Sequence, residues 1–240
     1  MKIAEIYKIL DEISPFELQE KWDNSGIQIG DKEQEIKRIV LSMDLDEKLI
    51  DSLEEDTLLI THHPIIFSGV KSLDSTTYPS NLLMKMLRKN IANIAMHTNF
   101  DKTHLNSYVA KEILKLDVVE EKDFIIYAKV ETTFKEFVKK IKTSLDIDLI
   151  HCVESKKEIK RVALTTGSGC SLLPNIDADC FLTGDIKYHD AMQAKTLKIS
   201  LIDIGHYESE RYFGEILQKY LKNLGLEVII ASTENPFAYM

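Results

Sequence analysis

The sequence predicts an α/β protein of two lobes, in which mainly parallel or mixed sheets are flanked by helices. Short apolar runs rich in β-branched residues alternate with amphipathic segments, which is the pattern of strand–helix–strand units. A length of 240 residues allows one large domain or two lobes with a substantial core. Periodicity is lost around 116–123, so we expect an N-terminal lobe over 1–118 and a C-terminal lobe over 119–240.

The first lobe contains a helical stripe followed by strands that alternate with helices. Isoleucine and leucine recur at helical spacing in residues 2–13. The remaining predicted elements are strands at 36–43, 57–62 and 90–98, and helices at 46–55, 79–89 and 104–116. The order indicates parallel strands joined by helices.

The second lobe repeats this alternation and ends on a helix that we expect to fold back. Strands are predicted at 124–130, 160–166, 179–183, 198–204 and 226–230, and helices at 132–145, 189–196 and 209–224. No low-complexity segment or short repeat interrupts the pattern. We therefore expect two α/β lobes, with the C-terminal helix folded back.

Composition excludes several functional classes. The net charge of −9 and the pI of about 5.3 argue against a general nucleic-acid surface. No window approaches the roughly 18 apolar residues of a membrane span, and the N-terminus lacks a secretory layout. Cys152, Cys170 and Cys180 have no CxxC spacing, so neither a disulfide framework nor a cysteine zinc site is expected. The predicted location is cytoplasmic.

Two adjacent histidines end an apolar strand in the stretch LLITHHPIIFS, residues 58–68. Within a strand His62 and His63 would point to opposite faces. Pro64 cannot continue a central ladder, so the chain is expected to turn there. Both rings can then face the space beyond the strand end.

Two further groups follow predicted strands in the same way. His97 and Asp101 lie in AMHTNFD, and His206 and Glu210 lie in DIGHYESER. Ligands of open α/β sheets gather beyond the carboxyl ends of strands, so we expect these groups to converge. In a helix that begins near 205, the side chains at i and i+4 share a face, whereas Glu208 points away.

Five residues are therefore predicted as metal ligands: His62, His63, Asp101, His206 and Glu210. Imidazole and carboxylate suit Zn, Mn, Fe or Co, and five protein ligands fit two metals better than one. His97 is predicted to line the cleft and to orient a ligand or a water molecule.

Other motifs have an ordinary structural interpretation beside the functional one. The isolated histidines His104, His151 and His189 are expected to be surface or hydrogen-bonded residues. The turn KWDNSGIQIG contains the sole tryptophan and serves equally well as a packed turn or a substrate contact. The glycine turn of LTTGSGCS is a weak phosphate-loop candidate. LTGDIKYHDA either places Asp185, Lys187 or His189 near the cleft or is an ordinary strand-to-helix connection.

The motifs WDNSGIQIG, ITHHPIIF, MHTNFD, LTGDIKYHDA and GHYESER, in this order, resemble those of the Nif-three-like family. Its bacterial members carry the name GTP cyclohydrolase 1 type 2 or its homologue. The resemblance spans nearly the full chain. It implies a two-lobed α/β fold with a dinuclear metal site between the lobes, and a toroidal homohexamer. Carried over by motif, it gives the same five ligands.

The resemblance favours a hydrolase that converts GTP to formate and dihydroneopterin triphosphate by hydroxide attack at the purine C8 carbon. His97 would act as a catalytic residue that holds the developing oxyanion. Candidate phosphate contacts are Lys71, Lys102, Lys187 and Arg211. The alternatives are a non-catalytic metal chaperone or regulator, and a metal hydrolase that acts on another substrate.

Overall fold

The computed structural model describes residues 1–231 and 234–238 of the chain. It divides into two compact units, which are described separately. The first unit comprises Met1–Phe100 and the segment that begins at Phe213, and the second comprises Asp101–Tyr212 and the chain from Asn235. None of the helices in the described ranges has the length and apolar character needed to cross a membrane.

The first unit is built on a five-stranded sheet of order β1-β4-β3-β2-β11. Strands β2, β3, β4 and β11 run parallel, whereas β1 pairs antiparallel with β4. The strands are β1 Gly26–Ile29, β2 Arg38–Ser42, β3 Thr57–Thr61, β4 Ala92–Ala95 and β11 Glu227–Ile230. The helices are α1 Ile3–Ile13, α2 Glu47–Ser52, α3 Ser80–Arg88, α4 Thr98–Phe100 and α9 Phe213–Leu221, with a 3₁₀ turn at Phe16–Leu18.

The helices of the first unit pack through apolar faces that have the expected helical spacing. In α1 the buried side chains are Ile3, Ile6 and Leu10, at i, i+3 and i+7. All five residues of β3 are buried, as expected for a strand with both neighbours parallel. One core cluster joins α2, α3 and the strands through Ile29, Val40, Ile50, Leu53, Leu59, Ile65, Leu82, Leu83, Met86 and Ile91.

The second unit is built on a six-stranded sheet of order β5-β6-β8-β9-β10-β7. Strands β8, β9 and β10 are parallel, and the other neighbours pair antiparallel. The strands are β5 Asp117–Lys122, β6 Ile125–Thr133, β7 Cys152–Val153, β8 Glu158–Leu164, β9 Cys180–Thr183 and β10 Ser200–Asp203. Its α-helices are α5 Asn106–Tyr108, α6 Phe134–Leu145, α7 Tyr188–Leu197 and α8 His206–Glu210, with π-helical turns at Asp101–Leu105 and Val109–Ile113 and a 3₁₀ helix at Cys170–Asn175.

The core of the second unit lies between its sheet and the segments that cover it. Its buried members are Ile125, Tyr127, Ala163, Leu173, Ile176, Phe181, Ala194, Ile199 and Leu201. Helix α6 begins with a capping box, because the Thr133 hydroxyl accepts the amide of Glu136 and the Glu136 carboxylate accepts the amide of Thr133.

The predicted fold class is confirmed, with sheets that are mixed rather than wholly parallel. The helix predicted at 104–116 is a series of α and π turns, and the helix predicted at 209–224 divides into α8 and α9. The predicted lobe boundary at 118/119 falls within β5, while the compact units change at 100/101 and 212/213. The units follow contacts in space rather than order along the chain. Because β11 pairs with β2, α9 and β11 belong to the unit formed by the first half of the chain.

Candidate metal centre

Three imidazoles meet at the carboxyl ends of β3 and β4 in the first unit. His62 and His63 follow β3 directly, and His97 follows β4. The ring centroid of His62 lies 4.9 Å from that of His63 and 5.2 Å from that of His97. The His63 and His97 centroids are 5.4 Å apart. One ligand atom from each ring can be chosen so that all three lie within 4.8 Å of one another. These three side chains form what we call the imidazole triad.

Backbone hydrogen bonds explain how the adjacent residues His62 and His63 can both belong to the triad. The amide of His62 donates to the carbonyl of Ser42 at 3.1 Å, and the amide of His63 donates to the carbonyl of Met43 at 3.1 Å. Successive amides of a regular strand point in opposite directions. Because the amides of His62 and His63 both donate toward the end of β2, the chain has left the strand and turned. The prediction that the chain turns at this point is confirmed.

Each ring of the triad has a defined partner at Nδ1. His62 Nδ1 lies 2.9 Å from the Met96 carbonyl oxygen, and His63 Nδ1 lies 2.7 Å from Asp44 Oδ1. His97 Nδ1 lies 2.8 Å from Asp23 Oδ1. Carbonyl and carboxylate oxygens only accept hydrogen bonds, so each ring carries a proton on Nδ1, and Nε2 is the ring atom that can bind a cation.

Asp23 accepts hydrogen bonds from other groups besides the ring of His97. Its Oδ2 accepts the Thr98 hydroxyl at 2.5 Å, the Thr98 amide at 3.1 Å and the Ser25 hydroxyl at 3.0 Å. Burial alone would raise the pKa of Asp23, but the hydrogen bonds from His97 and Thr98 outweigh it and hold the pKa well below its ordinary value. A buried, ionised carboxylate therefore faces His97.

A histidine and a glutamate form the corresponding group in the second unit. His206 and Glu210 are the first and last residues of α8, and His206 Nε2 lies 2.9 Å from Glu210 Oε2. His206 Nδ1 lies 2.7 Å from Asp185 Oδ2, so a carboxylate faces each ring nitrogen. A neutral imidazole has one N–H, so a second proton, on the ring or on a carboxyl group, or a metal cation must complete these two contacts.

The predicted i, i+4 relation of this pair is confirmed, and so is the different direction of Glu208. Glu208 accepts a hydrogen bond from Asn235 Nδ2 at 2.7 Å. Gly167, at φ +59°, lies against the pair, and a Cβ atom there would lie 3.5 Å from His206 Nε2 and would overlap Glu210 Oε1. The second unit therefore uses glycine to admit the glutamate side chain.

The remaining predicted residues are placed as follows. Asp101 is buried at the first position of a π-helical turn, a feature that is frequent at functional sites. His104 Nδ1 lies 2.7 Å from the Thr103 hydroxyl, and burial lowers its pKa. His151 and His189 are exposed, in agreement with their structural interpretation. The structure places Asp101 but does not test whether it binds with the other predicted ligands.

Three amides of the glycine turn after β8 are bonded within the protein and are not available to an anion. The amide of Thr166 donates to Asn106 Oδ1 at 2.7 Å, and that of Gly167 donates to the Ser209 hydroxyl at 3.1 Å. The amide of Gly169 donates to the Thr183 hydroxyl at 2.8 Å. These three donors of a phosphate loop are already used within the protein.

The sequence does not single out Asp44, and it gives no partner for Asp23, which lies in a motif that serves equally as a turn or a substrate contact. It includes Asp185 among the candidates of LTGDIKYHDA for the cleft, but not as the partner of His206. A usable signal existed, because Asp44 and Asp185 each follow a strand by two residues, at the edge where the histidines also lie. The acidic residue beside a ligand histidine was the feature to look for.

The donor chemistry fits a divalent transition metal. Imidazole Nε2 atoms with Nδ1 bound to an acceptor, together with buried carboxylates, are the ligands that Zn, Mn, Fe or Co takes in proteins. The groups His62–His63–His97 and His206–Glu210 both have this character. The candidate metal centre is thus supported by donor type and by tautomer.

Comparison with known proteins gives one consistent answer. A 240-residue Campylobacter jejuni relative named GTP cyclohydrolase 1 type 2 homolog is 49% identical over the full length of both chains. A Helicobacter pylori relative named GTP cyclohydrolase 1 type 2 is 42% identical, covering 98% of this chain and 97% of its own. A crystal structure of a Staphylococcus aureus protein matches with a TM-score of 0.87 and 27% identity, covering 100% of this chain and 99% of its own. The sequence profile of one family matches residues 1–236, and the chain belongs to that family, Duf34/NIF3 (NGG1p interacting factor 3).

Proposed function

We propose that the protein is a metal-dependent hydrolase of GTP that binds two divalent ions per chain. The proposed ligands are the five predicted from the sequence: His62, His63, Asp101, His206 and Glu210. The observation that carries the proposal is the common state of the histidines. His62, His63 and His206 all place Nδ1 within 2.9 Å of a carbonyl or carboxylate oxygen, which directs Nε2 to a cation.

The choice of GTP is supported by the relatives. The Helicobacter pylori protein that is 42% identical carries the name GTP cyclohydrolase 1 type 2. Divalent ions at ligands of this kind supply Lewis acidity and lower the pKa of a bound water toward neutrality. Zn, Mn, Fe and Co all suit these nitrogen and oxygen donors. The protein's own residues must then orient the purine and move protons.

His97 is the residue that we assign to proton transfer and oxyanion stabilisation. The side chain of its partner Asp23 is fully buried, whereas those of Asp44 and Asp185 are about half exposed. A buried carboxylate stabilises an imidazolium more strongly, because the local dielectric constant is low. His62, in contrast, faces a neutral carbonyl and suits a neutral ligand role. Positive charge that develops on the His97 ring during the reaction would therefore face a fixed, buried carboxylate.

The first experiment measures metal content and product on the same sample. Protein purified without chelators is analysed for bound metals and then incubated with GTP in the presence of Zn, Mn, Fe or Co. We expect about two ions per chain and release of formate with a neopterin product. Glu210→Gln is expected to lose about one ion and most of the activity. The exposed residue His151 provides the control, and His151→Asn should match the parent.

A metal carrier or regulator is the second candidate function. The observation that favours it is the glycine turn after β8, in which the amides of Thr166, Gly167 and Gly169 are bonded within the protein instead of forming a phosphate cradle. Bound metal with no product from GTP, and rapid transfer of metal to an apo acceptor, would reject the hydrolase in favour of the carrier. Product from another phosphoester or cyclic amide would keep the hydrolase and change its substrate.

The phosphate contacts predicted from the sequence remain part of the proposal. Lys102 Nζ lies 4.8 Å from the Phe124 ring centroid, and Arg211 donates to the Leu145 carbonyl at 3.2 Å. Lys71 and Lys187 are the other predicted contacts. We also propose a homohexamer, which the family resemblance implies. Light scattering that gave the mass of a single chain of 27.5 kDa would reject it.

A further inference from the structure

Two aromatic side chains stand in solvent beside the imidazole triad. Trp22 is 59% exposed and Phe67 is 50% exposed. Their ring centroids are 5.9 Å apart with an interplanar angle of 54°, and each lies 6.2 Å from the His97 ring in an edge-on arrangement. Large aromatic surface of this kind is normally buried or used for binding.

Hydrogen bonds hold the two segments that present these rings. Asn24 Nδ2 donates to the Ile66 carbonyl at 2.6 Å, and the Ile66 amide donates to Gln28 Oε1 at 3.2 Å. Gln28 Nε2 donates in turn to the Asn24 carbonyl at 2.6 Å. The turn that carries Trp22 and the loop that carries Phe67 are thus joined directly, so the aromatic surface is pre-organised.

We infer that the outer face of Trp22 stacks the flat heteroaromatic ring of the substrate. A ring inserted between Trp22 and Phe67 would need a separation of about 7 Å, because stacked carbon atoms lie roughly 3.5 Å apart. The observed 5.9 Å leaves no such gap, so Phe67 and His97 instead support the indole from its sides. The inference deepens the proposed function and rests on it: the substrate class is a purine-like planar ring placed next to His97.

Stacking also explains how a nucleotide could bind without a phosphate loop. The amides of Thr166, Gly167 and Gly169 in the glycine turn are occupied, so less of the affinity can come from the triphosphate. Base–aromatic stacking supplies affinity through the ring itself and does not depend on charge. It suits a chain whose net charge of −9 repels anions.

The test uses the fluorescence of Trp22, the sole tryptophan of the chain. Chelator-treated protein, which cannot turn over a substrate through bound metal, is titrated with guanosine, GTP and inorganic triphosphate. We expect guanosine and GTP to quench the emission and triphosphate to leave it unchanged. In equilibrium dialysis, Trp22→Ala should bind guanosine about 5- to 100-fold more weakly, and Trp22→Phe should lose less.

Tyr220→Ala is the control, because Tyr220 is a half-exposed aromatic residue on α9. It should bind guanosine like the parent. The inference is overturned if guanosine leaves the emission unchanged or if Trp22→Ala binds it as tightly as the parent does.

Failure of this inference is distinguishable from failure of the proposed function. Formate release by Trp22→Ala with an unchanged KM for GTP would overturn the stacking and leave the hydrolase. Guanosine binding that requires Trp22, with no product from metal-loaded protein, would keep the stacking and overturn the hydrolase.

Discussion

Gly167→Ala is expected to weaken metal binding because it displaces the Glu210 carboxylate. Gly167 has φ +59°, and a left-handed conformation costs a residue with a side chain about 1–2 kcal/mol. The added Cβ would also lie 3.1 Å from Glu210 Cδ and would overlap Oε1. Overpacking of this kind typically costs a further ~1–3 kcal/mol. A shift of the carboxylate on the order of 1 Å is enough to lose about 10²-fold in activity.

A matched control separates the two effects. Gly225 has φ +73° and no heavy atom within 4 Å of an added Cβ, so Gly225→Ala carries backbone strain without a clash. We expect both variants to unfold at lower temperature, Gly167→Ala more so, and only Gly167→Ala to lose metal in a competition with a chelator. Equal losses of stability in the two variants, with metal affinity unchanged in both, would refute the reasoning.

Three further substitutions test the acidic partners and one partly exposed ion pair. Asp44→Asn replaces the acceptor of the His63 Nδ1 proton, so metal affinity should fall about 10- to 100-fold in chelator competition; an unchanged affinity contradicts the role. Asp23→Asn should lower kcat for GTP more than it changes KM and should cost roughly 1–3 kcal/mol in the free energy of unfolding, since a buried acceptor network is broken. Burial would raise the pKa of Asp179, but hydrogen bonds from Lys156 and two backbone amides hold this pKa below 3.8. The ionised Asp179 therefore stabilises the fold above about pH 4, and this stabilisation is lost as the pH falls. Asp179→Asn should therefore flatten the acid side of the stability curve, and a curve parallel to that of the parent would exclude the effect.

The sequence predicted those parts of the fold in which one periodicity extends over a whole element. The apolar stripe of α1 and the buried run of β3 follow directly from residue spacing. The same reasoning placed His62 and His63 at a strand end and His206 with Glu210 on one helical face. These predictions depend on local geometry alone, so the spacing of residues in the sequence is sufficient to make them.

Other elements depend on partners that are distant in sequence. Strand β1, Gly26–Ile29, begins with a glycine and contains the polar Gln28, and the sequence indicated only a turn. It becomes a strand because its backbone pairs with β4, with Gly26 opposite Ala95. The π-helical turns at Asp101–Leu105 and Val109–Ile113 likewise leave no signature in the spacing of apolar residues.

The acidic partners show why a site is harder to predict than its ligands. A histidine of the imidazole triad is recognisable by residue type, whereas its partner can be any acceptor that the fold brings to Nδ1: the Met96 carbonyl for His62 but the Asp23 carboxylate for His97. Turn composition at Asp23 and Ser25 satisfied a purely structural interpretation, yet the same two side chains fix the backbone and ring of His97. A turn motif and the support of the proposed catalytic residue are therefore one set of atoms here, and only the distances between them distinguish the two roles.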